Sequence, residues 1–443
     1  MQVRPAPRPG RVVSRSFQYF ARTGSLSGVL LLVSTALALA WANSPYHASY
    51  FGLLEQRIAI GPAGHPLSLT VLAWLNDGLM AVFFLLVGLE IKREFLVGEL
   101  ASPRQAALPI AAAAGGMLVP ALLYYLLNPS GETASGWAIP MATDIAFALG
   151  VLALLGRSIP LGLKIFVTAL AIVDDMGAVV VIALFYSGAP GAAPLAFAVA
   201  TLVALIALNV AGVRQVTPYL LGGVLLWLAM HEAGMHATIA GVLLAFAIPS
   251  RTRINALEFS TRARDLVDEF DQAETGDLLV ITSKGQQEAL HALEKSAEEV
   301  QAPLLRLEHG LQPLVQYAIM PAFALANAGV RIAGEPGGPL VTSATTGVVL
   351  GLVAGKPLGI LLFSWIAVRL RLAVLPSGTS WGHLHGAAWL GGIGFTMSLF
   401  IAALAFRDAL LPPAKIGILV GSAIAGLTGI GVLWAVTRRR SGS

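Results

Sequence analysis

Five ionisable side chains lie inside otherwise apolar stretches of the sequence: Asp77, Asp144, Asp174, Asp175 and Lys356. A charge at the centre of a membrane-spanning helix costs about 2.5 to 3.5 kcal/mol on insertion scales, so each should face protein or a water-filled cavity. Asp174 and Asp175 are the sharpest signal, because they sit mid-run in ALAIVDDMGAVVVIALF with no basic residue close by in the same run. Neighbouring helix positions point about 100° apart, so one carboxylate can face a cavity while the other serves an adjoining helix or the rim. Carboxylate oxygens are ligands for a hard cation and equally sites for protons, so one pair can hold either. The bland alternative is two structural acids satisfied by neighbouring helices.

Lys356, in GLVAGKPLG, needs a counter-charge, and it is either a structural partner or a proton carrier; Pro357 beside it predicts a local kink. Asp144 follows Pro140 and Thr143, where a helix cap and a direct ligand role are compatible. Asp77, preceded by Asn76, lies near the outer end of its run, where interfacial snorkelling and the guiding of cations both fit. Glu90, Lys92, Arg93 and Glu94 crowd the inner end of the same run. Glu308 and His309 read as boundary residues, and of these only an imidazole ordinarily titrates near neutrality. The chain has no cysteine, which excludes disulfides, thiolate metal sites and cysteine nucleophiles, and its eight histidines show no HExxH spacing.

What must position these residues is a membrane framework. Only 12% of the 443 residues are charged, against about 25% in an ordinary soluble domain. With 56% apolar residues and a mean hydropathy of +0.76, the chain reads as an all-α polytopic membrane protein. A nucleic-acid binder is set aside despite the pI of 9.4. About twelve apolar segments of spanning length begin near Ser25, Val71, Ala107, Trp137, Lys164, Ala193, Pro218, His236, Gln312, Thr345, His385 and Lys415. Arg4, Arg8, Arg11, Arg15 and Arg22 precede the first, which lacks a convincing cleavage site and reads as an uncleaved helix. Alternating from a cytoplasmic N-terminus places 23 of the 28 Lys and Arg residues inside, with both termini cytoplasmic.

The chain then divides into a tail over 1–24, spans one to eight over 25–250, a charged cytoplasmic insert over 251–308, spans nine to twelve over 309–437 and a basic tail over 438–443. The insert carries 12 of the 24 acidic residues and is expected to be partly helical around Gln286 to Val300, as a solvated or regulatory segment. Arg57 to Thr70 alternates apolar and polar residues around GPAG and His65-Pro66, which predicts a β-hairpin on the outer face. Spans three to five and ten to twelve run with opposite polarity. Each of these units has an interrupted middle helix, at Pro140, Thr143 and Asp144 in one and at Gly391, Gly392, Gly394 and Thr396 in the other. Paired broken helices in corresponding positions of inverted repeats point to a transport site at their crossing.

At these residues the sequence resembles the NhaA-type sodium/proton antiporters of bacterial inner membranes, over roughly Ser25 to Val436. The motifs are NDGLMAVFFLLVGLEIKRE (Asn76 to Glu94), ATDIAFALGVLALLG (Ala142 to Gly156), ALAIVDDMGA (Ala169 to Ala178), MHATIAGVLLAFAIP (Met235 to Pro249), PAFALANAGV (Pro321 to Val330), GKPLGI (Gly355 to Ile360) and GIGFTMSLFIAALAF (Gly392 to Phe406). The resemblance implies Asp174 and Asp175 as the carboxylates for Na⁺ or Li⁺ and for H⁺, with Asp175 central. It implies that Lys356 pairs with Asp174 and that Thr143 and Asp144 line the crossing. It further implies electrogenic exchange of two protons for one Na⁺ or Li⁺, a role in pH and sodium homeostasis, a pH response at Glu90, Glu94, Glu308 and His309, and a homodimer joined through the outer hairpin. Neither an enzyme nor a cofactor is implied. The sequence departs from the family pattern at Gln312, where a second histidine is common, and in the length of the insert.

Two other functions use intramembrane carboxylates. An aspartyl hydrolase needs them on separate helices, commonly with GxGD, which is absent here; an open cation channel fits poorly with broken helices and a buried lysine.

Overall fold

Long uncharged runs of Leu, Val, Ile, Ala and Phe favour helix where no water can satisfy the backbone, because a helix pairs its peptide groups within itself. The chain, seen in a computed structural model that describes residues 9–61, 66–188, 190–273, 283–332 and 341–441, is mostly helical. Helices α1 (Pro9–Ala42) and α2 (His47–Glu55) lead into an antiparallel pair, β1 (Arg57–Ile60) and β2 (Leu67–Thr70), with Arg57 opposite Thr70. There follow α3 (Val71–Val97), α4 (Pro103–Leu127), α5 (Glu132–Leu154), α6 (Leu161–Phe185) and α7 (Ala192–Val210). Next come α8 (Thr217–Glu232), α9 (Ile239–Ala247), α10 (Ala256–Gln272), α11 (Lys284–Val300) and α12 over 303–327. The chain closes with α13 (Ser343–Arg369), α14 (Trp381–Gly391), α15 (Phe395–Ala405) and α16 (Leu411–Ser441).

Among the described residues, seven helices are long and apolar enough to cross a membrane, namely α3 to α7, α13 and α16. Two bent pairs, α1 with α2 and α14 with α15, would raise the number to nine. A 25-residue helix such as α6 is about 37 Å long, more than a hydrocarbon core of about 30 Å. Burial separates the centre from the periphery: 67% of the apolar window of α5 and 61% of that of α6 are buried, but only 11% of that of α7. Phe197, Val199 and Val203 of α7 are more than half exposed, an apolar surface suited to lipid.

Helices α4 and α13 pack at backbone contact, since a Cβ on either Gly115 or Gly359 would land on the other's carbonyl oxygen. The kink predicted at Pro357 takes the form of a π turn over Gly351–Gly355, where the Lys356 N–H reaches back to the Gly351 carbonyl. Pro357 has no N–H for the carbonyl of Val353 and its ring crowds that oxygen, so the winding loosens just before it. Pro321 stands in the same relation to the π turn Val315–Ile319 of α12. A third, Trp74–Leu79 in α3, contains Asp77.

In the charged segment, the helix expected around Gln286 to Val300 runs over Lys284–Val300, with the Ser283 hydroxyl accepting from Gln286 N at 3.3 Å. A second helix, α10, was not anticipated; Asn255 caps it by accepting from Glu258 N at 2.8 Å. The hairpin turn expected at GPAG and His65 falls on 62–65, outside the described residues, as does residues 1–8 of the N-terminal tail.

Candidate functional site

Helix α5 begins as a 3-10 helix over Glu132–Met141, runs extended through Ala142 to Asp144 and resumes as α-helix over Ile145–Leu154. Helix α14 ends at Gly391 and α15 starts at Phe395 after a bend of 41°. The two breaks touch: Asp144 N donates to the Ile393 carbonyl at 2.7 Å. Four half-helix ends therefore converge away from water, and each leaves backbone groups and about half a unit of partial charge to be met by side chains.

Asp144 serves both N-terminal ends. Its Oδ1 accepts from Phe147 N at 3.0 Å, and its Oδ2 accepts from Thr396 N at 3.2 Å and from the Thr396 hydroxyl. The C-terminal ends are met by donors. Lys356 Nζ donates to the carbonyl of Met141, and the Thr143 hydroxyl lies 2.9 Å from the Gly391 carbonyl.

Lys356 Nζ also donates to Asp174 Oδ2 at 2.5 Å, with both side chains fully buried. That oxygen lies 2.6 Å from the Thr143 hydroxyl as well. Thr143 has one proton for two acceptors, so protonating Asp174 would let the acid donate to Thr143 and free the hydroxyl for Gly391. Asp175, 1% exposed, has neither a hydrogen bond nor an ion pair among the described residues. Oδ1 of Asp174 and Oδ1 of Asp175 are both buried without a partner. An ionised oxygen in that condition is costly, and a bound proton or a small hard cation relieves it. Among the described residues no group of three or more His, Cys, Asp or Glu could hold a metal ion.

The structure thus brings together Asp174, Asp144, Thr143 and Lys356, with Asp175 adjoining them. Asp77 stands apart, in the π turn of α3. Its backbone carbonyl accepts from the Trp227 indole N–H at 3.0 Å, and Trp227 is stacked between Trp74 and His231. Asn76 and Asn327 exchange amide hydrogen bonds beside it, at 2.8 and 3.4 Å.

A second cluster lies at the Val97 end of α3. Arg93 bridges Glu94 at 2.9 Å and both Glu308 oxygens at 2.9 and 3.1 Å. Glu90 is half-buried on the same helix, and His309 is exposed without a bonded partner among the described residues. Glu94 accepts from Glu99 N at 2.9 Å, and burial together with the nearby Glu94 charge pushes the Glu99 carboxyl up. Lys92 caps the end of α9, donating to the carbonyls of Phe246 at 2.7 Å and Ile248 at 2.5 Å. Reading the sequence did not single out Arg93, Lys92, Thr396, Asn327 or Trp227 for these tasks. Lys92 and Arg93, in the charged cluster at the inner end of their run, and Asn327 and Thr396, as polar residues inside apolar motifs, carried a local signal; Trp227 carried none.

The profile of the family described as Na⁺/H⁺ antiporter 1 matches residues 18–433. The chain is similar to proteins named Na⁺/H⁺ antiporter NhaA from several bacteria. That from Oleidesulfovibrio alaskensis is 49% identical over 436 residues, 98% of this chain and 97% of the relative. Those from Koribacter versatilis and Syntrophobacter fumaroxidans are each 49% identical, over 96% of this chain and 92% and 90% of theirs.

Proposed function

The chain belongs to the Na⁺/H⁺ antiporter 1 family, and on that premise we propose that Asp174 and Asp175 carry Na⁺ and H⁺ in turn, by alternating access at the crossing of the broken helices. The protein is a multi-pass membrane Na⁺/H⁺ antiporter, a transporter and not an enzyme. Neither the hydrolase nor the channel alternative gains support from its relatives. The observation that carries the site assignment is the pair of buried, partnerless carboxylate oxygens on adjacent residues.

The cycle is electrogenic. From the cytoplasm Na⁺ engages the carboxylate oxygens and two protons leave, from Asp175 together with Asp174 or Lys356; after the site turns outward Na⁺ departs and two protons return. Asp144 and Lys356 hold the facing half-helix ends, so the polar backbone there is matched in either loading state. Li⁺ follows the same route as a smaller hard cation. The finer framework is twelve helices in inverted repeats in the inner membrane, with both termini cytoplasmic and a homodimer joined through the β1–β2 hairpin. Glu90, Glu94, Glu308 and His309 tune the response to pH, with Asp77 guarding the opposite mouth.

Competition gives the test. One site that cannot hold its protons and Na⁺ together must lose apparent Na⁺ affinity as pH falls, with log KM against pH approaching a slope between about −1 and −2 on the acid side. Initial Na⁺-driven proton flux in vesicles at clamped potential measures it. An acid-side KM independent of pH would reject direct competition and leave pH acting only through the Glu308 cluster.

A further inference from the structure

We propose that the root of the α10–α11 pair is a binding site for a phosphate group, supplied by the headgroup of an anionic lipid in the adjoining leaflet. A groove of about 620 Å³ opens there, lined by Arg253, Glu258, Arg262, Lys295, Ser296 and Glu299. Arg253 and Arg262 both bind the Glu299 carboxylate, at 3.2 and 3.0 Å. One anion thus sets two guanidinium groups in place, and each has five N–H donors, more than a single carboxylate can take up. Lys295, one turn before Glu299, has no ion pair among the described residues. Three cations against two carboxylates leave the groove short of negative charge.

Charge placement along α10 points the same way. Beyond Glu258 in the first turn, Arg262 and Arg264 are followed by Asp265, Asp268, Glu269 and Asp271, so acids fill the last turns, where the helix dipole disfavours them. Local helix energetics therefore do not account for the separation, whereas a negative surface at the root does. The root is where the chain leaves and rejoins the apolar helices. Leu304 N donates to the Pro249 carbonyl at 3.2 Å, and Arg253 N to the Glu299 carbonyl at 3.0 Å. Arg262 stands only about 9 Å along α10 from Ala256, within reach of the potential of an anionic leaflet, which decays over about 8 to 10 Å. Leu257, in the first turn, is 79% exposed, an apolar side chain placed to enter the interface.

The experiment is thermal unfolding of the full chain in zwitterionic detergent, titrated separately with short-chain phosphatidylglycerol, phosphatidylcholine and inorganic phosphate. Phosphatidylglycerol is expected to raise the unfolding temperature and phosphatidylcholine is not. The half-maximal phosphatidylglycerol concentration should rise about fivefold for each cation removed in Arg262→Gln and in the triple variant Arg253→Gln, Arg262→Gln, Lys295→Gln. Lys284→Gln, at the far end of α11, should respond as the parent does. If the triple variant fails to fold, Arg262→Gln, at a half-exposed position, still decides the matter. Equal stabilisation by inorganic phosphate, lost in the same variants, would overturn the lipid as source and leave a soluble phosphate. A response to phosphatidylglycerol unchanged in every groove variant, or absent from the parent, would overturn the site.

Discussion

At the crossing of α5 with α14 and α15 the charges of Asp144, Asp174 and Lys356 are met by fixed, buried polar groups, whereas at the Val97 end of α3 one partly exposed arginine is shared between two carboxylates. Asp144 closes two helix N-termini, and Lys356 holds one C-terminus and Asp174. Arg93, with a side chain 31% exposed, divides itself between Glu94 and Glu308. The difference follows from the dielectric. Deep burial makes any unmatched charge expensive, so each is held there by buried donors and acceptors; Arg93 still reaches water, which screens it and lets it be shared, although Glu94 and Glu308 are themselves buried. Asp175 is the exception within the buried region, and the proposed transport site rests on that unmatched carboxylate.

The sharpest way to break this contrast is to neutralise the exception. Asp175→Asn should abolish Na⁺-driven proton flux in vesicles while the protein still inserts and elutes as a folded species, since an amide neither takes up a proton nor supplies anionic charge. Full activity would remove Asp175 from the centre of the mechanism. The buried ion pair predicts next that Lys356→Leu lowers stability by about 3 to 5 kcal/mol through a stranded Asp174, and that adding Asp174→Asn recovers much of the loss. A double-mutant cycle on unfolding temperature would refute the pairing if the two losses simply add.

Asp144→Asn should cost less, about 1 to 2 kcal/mol, because the amide keeps one acceptor and leaves one of the two helix ends uncapped. Equal stability of variant and parent would show that the converging ends need no carboxylate. The smallest effect belongs to the shared region: Glu308→Gln keeps the shape and one acceptor oxygen for a guanidinium that also holds Glu94 and reaches water, so it should cost only about 1 kcal/mol, while moving the pH at which exchange switches on. A loss comparable to that of Lys356→Leu would erase the distinction between the two regions.

How much of this was legible without coordinates differs from residue to residue. The mean hydropathy, the scarcity of charge and the position of each apolar run set the membrane class and the helical framework, because hydrocarbon leaves the backbone few alternatives. The same logic marked Asp174, Asp175, Lys356 and Asp144, since an intramembrane charge is costly wherever it stands. Partners are another matter. That Lys356 reaches both Asp174 and the Met141 carbonyl depends on the contact between α4 and α13 at Gly115 and Gly359, and on a π turn that rotates the residues after it. That Arg93 meets Glu308 joins positions 215 residues apart. The cost of burying a charge is a property of the residue and its run, and so can be read along the chain; the relief of that cost comes from whichever helix folds against it, and only the packing chooses that helix.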